Sequence, residues 1–363
     1  MLDTGILKQE ERAIFALRAL YRQYGYLPYK MSKFEDYEYY IRNKDFLVSD
    51  RIITFNDTNG RLLALKPDVT LSIIKNGEDV PGCKQKVYYN ENVYRVSGNT
   101  HQFKEIMQTG LECIGDIDLY DIFEAASLAA QSLAMISENF VLQISHLGIL
   151  SALLDSVCPD KIFQQTALNH IAQKNTHDLA RVCREYGVEE APLVQLVSTY
   201  GPRDKVLQAL EGMACDKQAL QELKELSALV DTLPWAEKVV FDFSVVSNMN
   251  YYNGIVFRGF LSGISEGVLT GGQYDKLMQT LERRAGAVGF ALYLDLLEQL
   301  SFEKREFDID VLLVYDPQTD KQLLAKTVAE LTAAGKTVSA QRSIPAKLRY
   351  RQLLRLTKEG ALC

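Results

Sequence analysis

Apolar residues recur at helical spacing at the start of the chain, where Ile14, Leu17, Leu20, Tyr21 and Tyr24 share one face and Gly25 follows as a stop signal. This predicts an amphipathic helix over residues 8–24. A strand-like run at 26–31 and a tyrosine-rich acidic segment at 35–40 follow, the latter expected to be a solvated helix face. The period then changes: two β-rich runs, 51–55 and 61–65, flank Asn59-Gly60 and predict a hairpin. Pro67 stops the second strand, and Thr70 is placed to begin a helix through Lys75. Residues 86–95 and 106–114 suggest a second antiparallel pair around a polar loop. Next come a helix over 120–138, a strand over 141–144, Ser145 as a helix cap and a helix over 149–157. From 159 to 233 almost every residue favours a helix, with breaks at Gly187, Pro192 and Gly201-Pro202, which predicts a helical insertion outside the sheet. Strands resume at Val239. The charged run Glu303-Lys304-Arg305-Glu306 suits a boundary. Beyond it, a strand at 307–315, a helix at 320–334 ending at Gly335 and a strand at 336–340 make one β-α-β unit. Residues 346–360, carrying Lys347, Arg349, Arg351, Arg355 and Lys358, are expected to form a basic helix.

Composition narrows the functional classes. A chain of 363 residues is long enough for two or three domains. The net charge of -7 argues against a polyanion as the main partner, so no nucleic acid is expected. No apolar run approaches the ~18 residues of a membrane span, and Met1-Leu2-Asp3-Thr4 carries no signal-peptide pattern, so a cytoplasmic protein is expected. The six cysteines are scattered singly and read as reduced thiols, and the four histidines show no metal-ligand spacing. Neither a metal nor a cofactor is expected.

The chemistry concentrates in residues 241–297. Tyr251-Tyr252-Asn253-Gly254-Ile255-Val256-Phe257, Gly271-Gly272-Gln273-Tyr274-Asp275 and Ala287-Val288-Gly289-Phe290-Ala291-Leu292 combine glycines, paired tyrosines and β-branched runs. Such strands suit a ligand cleft, since Gly lets a backbone come close and Tyr offers a ring with a polar tip. Gly259, Gly263, Gly267 and Gly271 lack G-K-[ST] or G-x-G-x-x-G spacing and are expected in a hairpin loop rather than around a phosphate.

These segments carry a resemblance. Leu65-Lys66-Pro67-Asp68-Val69-Thr70 is similar to the L-R-P-[DE]-x-T segment of histidyl-tRNA synthetases, and residues 86–115 are similar to their class II motif 2 region. Residues 251–257 resemble the Y-Y-x-G-x-V-F signature, and 271–297 resemble G-G-R-Y-D with motif 3. The resemblance covers most of residues 1–300. It implies an α+β fold, a class II aminoacyl-tRNA synthetase-like antiparallel sheet flanked by helices, over residues 1–302, with the helical insertion at about 159–233. Residues 307–363 resemble a truncated anticodon-binding domain that begins with β-α-β.

The departures fall on the groups that handle ATP. Arg95 of motif 2 remains, but the glutamate of R-x-E is Ser97 and the loop to Gln108 is one residue short. The family's G-L-E-R-L reads Tyr293-Leu294-Asp295-Leu296-Leu297, which puts leucine where an arginine would stack on ATP. The R-G-L-D before the histidine signature is Ser247-Asn248-Met249-Asn250, so the arginine that activates the carboxylate is gone. Adenylate formation needs positive charge placed in advance at phosphorus, and each lost donor costs ~10²–10³ in rate.

A synthetase-like body without these groups resembles the ATP phosphoribosyltransferase regulatory subunits. That resemblance implies no catalysis by this chain. It also implies a short-form catalytic subunit as partner, self-association as a class II-type dimer, and histidine as effector in the first step of histidine biosynthesis. On the family pattern, Asp68, Thr70 and Gln108 would surround the α-amino group of histidine, and Glu112 with Tyr251 and Tyr252 would meet the imidazole. Arg95 would either neutralise a ligand carboxylate or pair with Glu112. The competing readings are a divergent class II enzyme that activates another carboxylic acid with ATP and, more weakly, a tRNA-binding module.

Overall fold

Leu17 and Tyr21, one turn apart on α1 (Gln9–Gln23), are fully buried, while Phe15 on the opposite side is exposed, so the opening helix docks by its apolar stripe. In the computed structural model the described residues are 9–44, 47, 52–77, 82–96, 102–213, 216–246, 251–300 and 306–357. They divide into two units, Met1–Leu300 and Ser301–Cys363.

In the first unit, Gly25 adopts φ +82 after α1, and β1 (Leu27–Pro28) then adds in parallel to the large sheet. A small antiparallel sheet follows, formed by β2 (Phe34–Asp36), β3 (Thr54–Asn56) and β4 (Leu62–Leu65), with α2 (Tyr37–Arg42) between β2 and β3. The turn between β3 and β4 is held by Asp57, whose carboxylate accepts the N–H groups of Asn59 and Arg61, both at 2.8 Å. The expected solvated face at 35–40 is not found. Tyr40 is fully buried, and Glu35 is buried because α3 (Thr70–Asn76) gives it Ser72 Oγ at 2.8 Å and Lys75 Nζ at 2.9 Å.

The long hairpin of β5 (Lys84–Val96) and β6 (Phe103–Gly115) leads to α4 (Leu119–Ile136), capped by Asp118 and Asp121 in a reciprocal box. β7 (Phe140–His146) runs two residues past the expected strand end, since Ser145 and His146 still pair with Val256 and Ile255. The cap of α5 (Leu147–Val157) is therefore His146 and not Ser145. Its Nδ1 accepts the Gly148 N–H at 3.1 Å, and its Nε2 reaches Glu222 at 3.1 Å.

The helical stretch comprises α6 (Lys161–Ala172), α7 (Thr176–Glu185), α8 (Ala191–Ser198), α9 (Arg203–Glu211) and α10 (Lys217–Val230). It is not wholly outside the sheet: β8 (Tyr200–Gly201) precedes α9 and pairs with β9 (Val239–Asp242) at the sheet edge. Arg203 clamps the two together. Its guanidinium donates to the carbonyls of Ala236 and Val239, to Ser227 Oγ and to Asp231.

Then come β10 (Ile255–Leu261), β11 (Leu269–Gln273), α11 (Asp275–Thr280) and β12 (Gly286–Tyr293). Gly259 and Gly271 lie in strands β10 and β11, and only Gly263 and Gly267 belong to the connecting turn, so the glycine-rich run is a hairpin whose strands share its glycines. The large sheet has nine strands in the order β1-β5-β6-β12-β11-β10-β7-β9-β8, and its centre from β5 to β7 is antiparallel. Alternation sends Leu111, Cys113, Val288 and Phe290 to one face, packed with α1 and α4 in the larger core. Val87, Tyr89, Ile114 and Ala287 go to the other face, beneath α3 and the small sheet.

The second unit contains β13 (Ile309–Tyr315), α12 (Lys321–Ala333), β14 (Val338–Gln341) and β15 (Tyr350–Leu356), with parallel strands in the order β14-β13-β15. The basic helix expected at 346–360 is instead this third strand. Arg349, Arg351 and Arg355 fall at a spacing of two as much as of three or four, and the open edge of β13 takes Leu353 and Leu354 opposite Leu312 and Leu313. Residues 303–305 of the charged run lie outside the described residues.

Because Arg203 satisfies the two carbonyl groups of Ala236 and Val239, Arg203→Ala is expected to cost about 3 kcal/mol, the penalty for leaving buried acceptors unpaired. Urea unfolding of the variant checks this, and a midpoint unchanged from wild type counts against the clamp.

Candidate functional site

The sheet register determines which side chains meet. Opposite Glu112 on β6 lie Val87 on β5 and Gly289 on β12; opposite Gly289 lies Gly272, and opposite that Val256. Two residues along, the same face carries Tyr89, Gly110, Ala291, Thr270 and Arg258 in one row, and Gln108 with Tyr293 in the next. Glycine and alanine form the floor of this face, and larger polar residues stand around it. The result is a cavity of about 420 Å³.

All seven residues singled out from the sequence line this cavity: Asp68, Thr70, Arg95, Gln108, Glu112, Tyr251 and Tyr252. Asp68 from the loop before α3, Thr70 from its first turn, and Gln108 and Glu112 from β6 are buried. Glu112 is the best anchored. Thr70 Oγ1 donates to its Oε1 at 2.7 Å, and the Tyr274 hydroxyl donates to its Oε2 at 2.6 Å. Gly289 makes room for it, since a Cβ there would overlap Glu112 Oε2 and the Leu111 carbonyl oxygen. Asp68 accepts the Leu71 N–H at 2.9 Å, which ties it to the first turn of α3. Arg95 does not pair with Glu112. Its Nε donates to the Pro67 carbonyl at 3.1 Å, and its charge acts on Asp68.

The lining also includes residues not picked from the sequence: Tyr89, Tyr274, Arg258, Thr270 and Tyr293. Tyr274 completes a tyrosine cluster, with ring centroids 5.6 Å from Tyr251 and 6.4 Å from Tyr252, which are themselves 4.6 Å apart. Strand parity was the available signal for Tyr89 over Tyr88 and for Arg258 next to Val256, but parity assigns a face only once a neighbouring strand is known. Tyr293 stands where the synthetase motif has glycine, and its side chain fills part of the cavity wall. Leu296, in the 3-10 turn Leu294–Gln299 after β12, packs partly buried against the larger core and is not among the lining residues. The departures at Ser97, Ser247 and Asn250, and His101 in the polar loop, lie outside the described residues.

Burial dominates the electrostatics. Burial pushes Glu112 up from 4.5 to about 8; the Tyr274 and Thr70 hydroxyls oppose this and the Asp68 charge adds to it. Hydrogen bonds to a charged group are worth ~1.5–3 kcal/mol each, less than the several kcal/mol needed to take a carboxylate out of water. Asp68 is also raised by burial, opposed first by the Leu71 N–H and then by Arg95. Burial raises Tyr251, Tyr252 and Tyr274 well above their ordinary range, so they act as neutral hydroxyls. Two buried acids, two guanidinium groups and a wall of tyrosine rings suit a zwitterion with a flat, N–H-bearing side chain. Among the described residues no cluster of His, Cys, Asp or Glu has the arrangement of a metal site.

A histidyl-tRNA synthetase family model matches residues 5–297. Among curated relatives, an ATP phosphoribosyltransferase regulatory subunit from Oceanobacillus iheyensis is 28% identical over 321 residues, covering 85% of this chain and 79% of the relative. One from Clostridium kluyveri is 28% identical over 328 residues, covering 84% and 82%. Among solved structures, an ATP phosphoribosyltransferase regulatory subunit/histidyl-tRNA synthetase from Bacillus halodurans matches with a TM-score of 0.74 at 22% identity, covering 98% of this chain and 97% of that one. An ATP phosphoribosyl transferase (HisG:HisZ) complex from Thermotoga maritima matches with a TM-score of 0.63 at 21% identity, covering 78% and 97%.

Two outcomes test the site geometry. Gly289→Ala should displace the Glu112 carboxylate and lower the melting temperature, because the Leu111 carbonyl beneath it cannot move aside; an unchanged melting curve would show the floor to be slack. The second concerns pH. With a folded pKa of about 8 against 4.5 for the free group, the native state holds more protons between those values, so Glu112 makes stability fall as pH rises through that window. Glu112→Gln lacks this dependence. Its unfolding free energy in urea should therefore gain on wild type between about pH 5 and about pH 8.5, and a constant difference would assign the titration to another group.

Proposed function

The chain belongs to the histidyl-tRNA synthetase family, and from that premise we propose that it is a non-catalytic regulatory subunit of an ATP phosphoribosyltransferase. It works with a short catalytic subunit at the first step of histidine biosynthesis and carries the feedback response to histidine. The names of the curated relatives support this reading, as does the fold shared with a chain of the Thermotoga maritima complex. The observation that carries it is a one-sided cavity. The residues placed for the amino and ring ends of an amino acid are retained around Glu112, while Tyr293 occupies a glycine position of the nucleotide half and Leu296 replaces its arginine. Groups that act together in stabilising a transition state are not replaced by those that remain.

In this reading histidine lies with its α-amino group among Asp68, Thr70 and Gln108, and with an imidazole N–H directed to Glu112. The Tyr251 and Tyr252 rings cover the imidazole, and Arg95 balances Asp68. Because the site is buried, each ligand N–H that loses water gains a protein acceptor. Histidine then favours whichever arrangement of the complex holds this cavity closed, and inhibition follows from that difference in affinity. The chain works as a class II-type dimer in the cytoplasm and binds neither membrane nor nucleic acid. Among the described residues no helix is long and apolar enough to cross a membrane.

The retained Arg95 favours one competing reading, an enzyme that activates another carboxylic acid with ATP. ATP binding by the isolated chain separates the two, and the regulatory reading expects none. It also expects no histidine-dependent pyrophosphate exchange and a gain of phosphoribosyltransferase activity when the short subunit is added. Exchange at a synthetase-like rate would overturn it. Calorimetry places the effector: Glu112→Gln should weaken histidine binding by about 10- to 100-fold, and unchanged affinity would move the histidine site elsewhere.

A further inference from the structure

The two guanidinium groups on the cavity wall are not equivalent. Arg95 is committed: it donates to the Pro67 carbonyl and offsets the buried Asp68. Arg258 makes no ion pair with a described residue. It rises from β10 on the same sheet face as Glu112, Gln108 and Thr270, and its guanidinium lies over the Phe260 ring, 5.3 Å from the centroid. Gly267 leaves the lane its stem runs along, since a Cβ there would overlap Arg258 Nε. A planar cation, exposed to solvent, thus lines the cavity from β10 and makes no ion pair with a described residue.

The opposite end of the cavity is acidic. A ligand carboxylate placed there would have to shed its water beside two buried acids, Asp68 and Glu112. Glu112 and Arg258 stand three strands and two residues apart, about 16 Å between Cα atoms by strand geometry, and both line the one cavity. The chain has serine at 247, where the synthetase pattern supplies the arginine that meets this carboxylate.

We infer that Arg258 is the carboxylate-binding residue of the cavity, supplied from the strand after the tyrosine pair instead of from the loop before it. The bound amino acid then lies across the sheet, ring at Glu112 and carboxylate toward β10, and Arg95 serves to position Asp68. This rests on the histidine reading above.

Calorimetry on the full chain with L-histidine and with histamine, which has no carboxylate, tests both at once. Wild type should prefer histidine by about 10- to 100-fold, the worth of a charge-assisted bidentate pair. Arg258→Gln should bring histidine down to the histamine level while binding histamine no more weakly than wild type does, which also shows that the variant is folded. Arg258→Lys should recover part of the preference, as a charge without the fork. If Arg258→Gln keeps the preference and Arg95→Gln loses it, the carboxylate belongs to Arg95 and the inference is wrong. If wild type binds neither compound, the histidine reading fails and takes this inference with it.

Discussion

Glu112 is buried between two hydroxyl donors and sits above a glycine, and the site is arranged around that placement. Thr70 ties it to α3, Tyr274 ties it to the strand-helix junction after β11, and Gly289 vacates the volume it occupies. Three segments distant in sequence are thereby locked to one carboxylate. The arrangement is expensive without a ligand, as the upward displacement of the Glu112 pKa indicates, because neither hydroxyl restores what water gave the charge. A group kept in this condition is suited to meet an N–H donor from outside.

The same sheet face accounts for what the cavity admits. Its floor is glycine and alanine on the central strands, and its walls are tyrosines whose hydroxyls stay neutral. Its charges are divided, with two acids, Asp68 beside Arg95 and Glu112 on β6, at one end and over β10 a guanidinium that makes no ion pair with a described residue. Such a division selects for an orientation as well as for a composition, since a ligand entering the other way round would face like charges at both ends. Tyr293 stands in the cavity wall at the position where the synthetase motif has glycine.

The two cores lie on opposite faces of the large sheet. The larger core, behind the sheet, holds the strands in register through α1 and α4. The smaller one, in front, contains Tyr251, Tyr274 and the buried face of α3 beside the cavity. Changes in front of the sheet can alter the side chains that line the cavity and leave the register behind it intact.

Much of this was legible in the sequence. The Asn59-Gly60 hairpin, the long antiparallel pair, the helical run and the strand after Tyr251-Tyr252 follow from periodicity and turn chemistry, which are local properties. The seven candidate residues were found by motif, and the structure gathers them around one cavity. Contacts across elements decided the rest. Glu35 and Tyr40 are buried because α3 covers them, His146 and not Ser145 caps α5 because β7 stays paired for two more residues, and 350–356 is a strand because β13 has an open edge. Arg258 and Tyr274 belong to the site for the same reason. A strand alternates its side chains between two faces, and which face looks onto the cavity is settled only by the strands beside it.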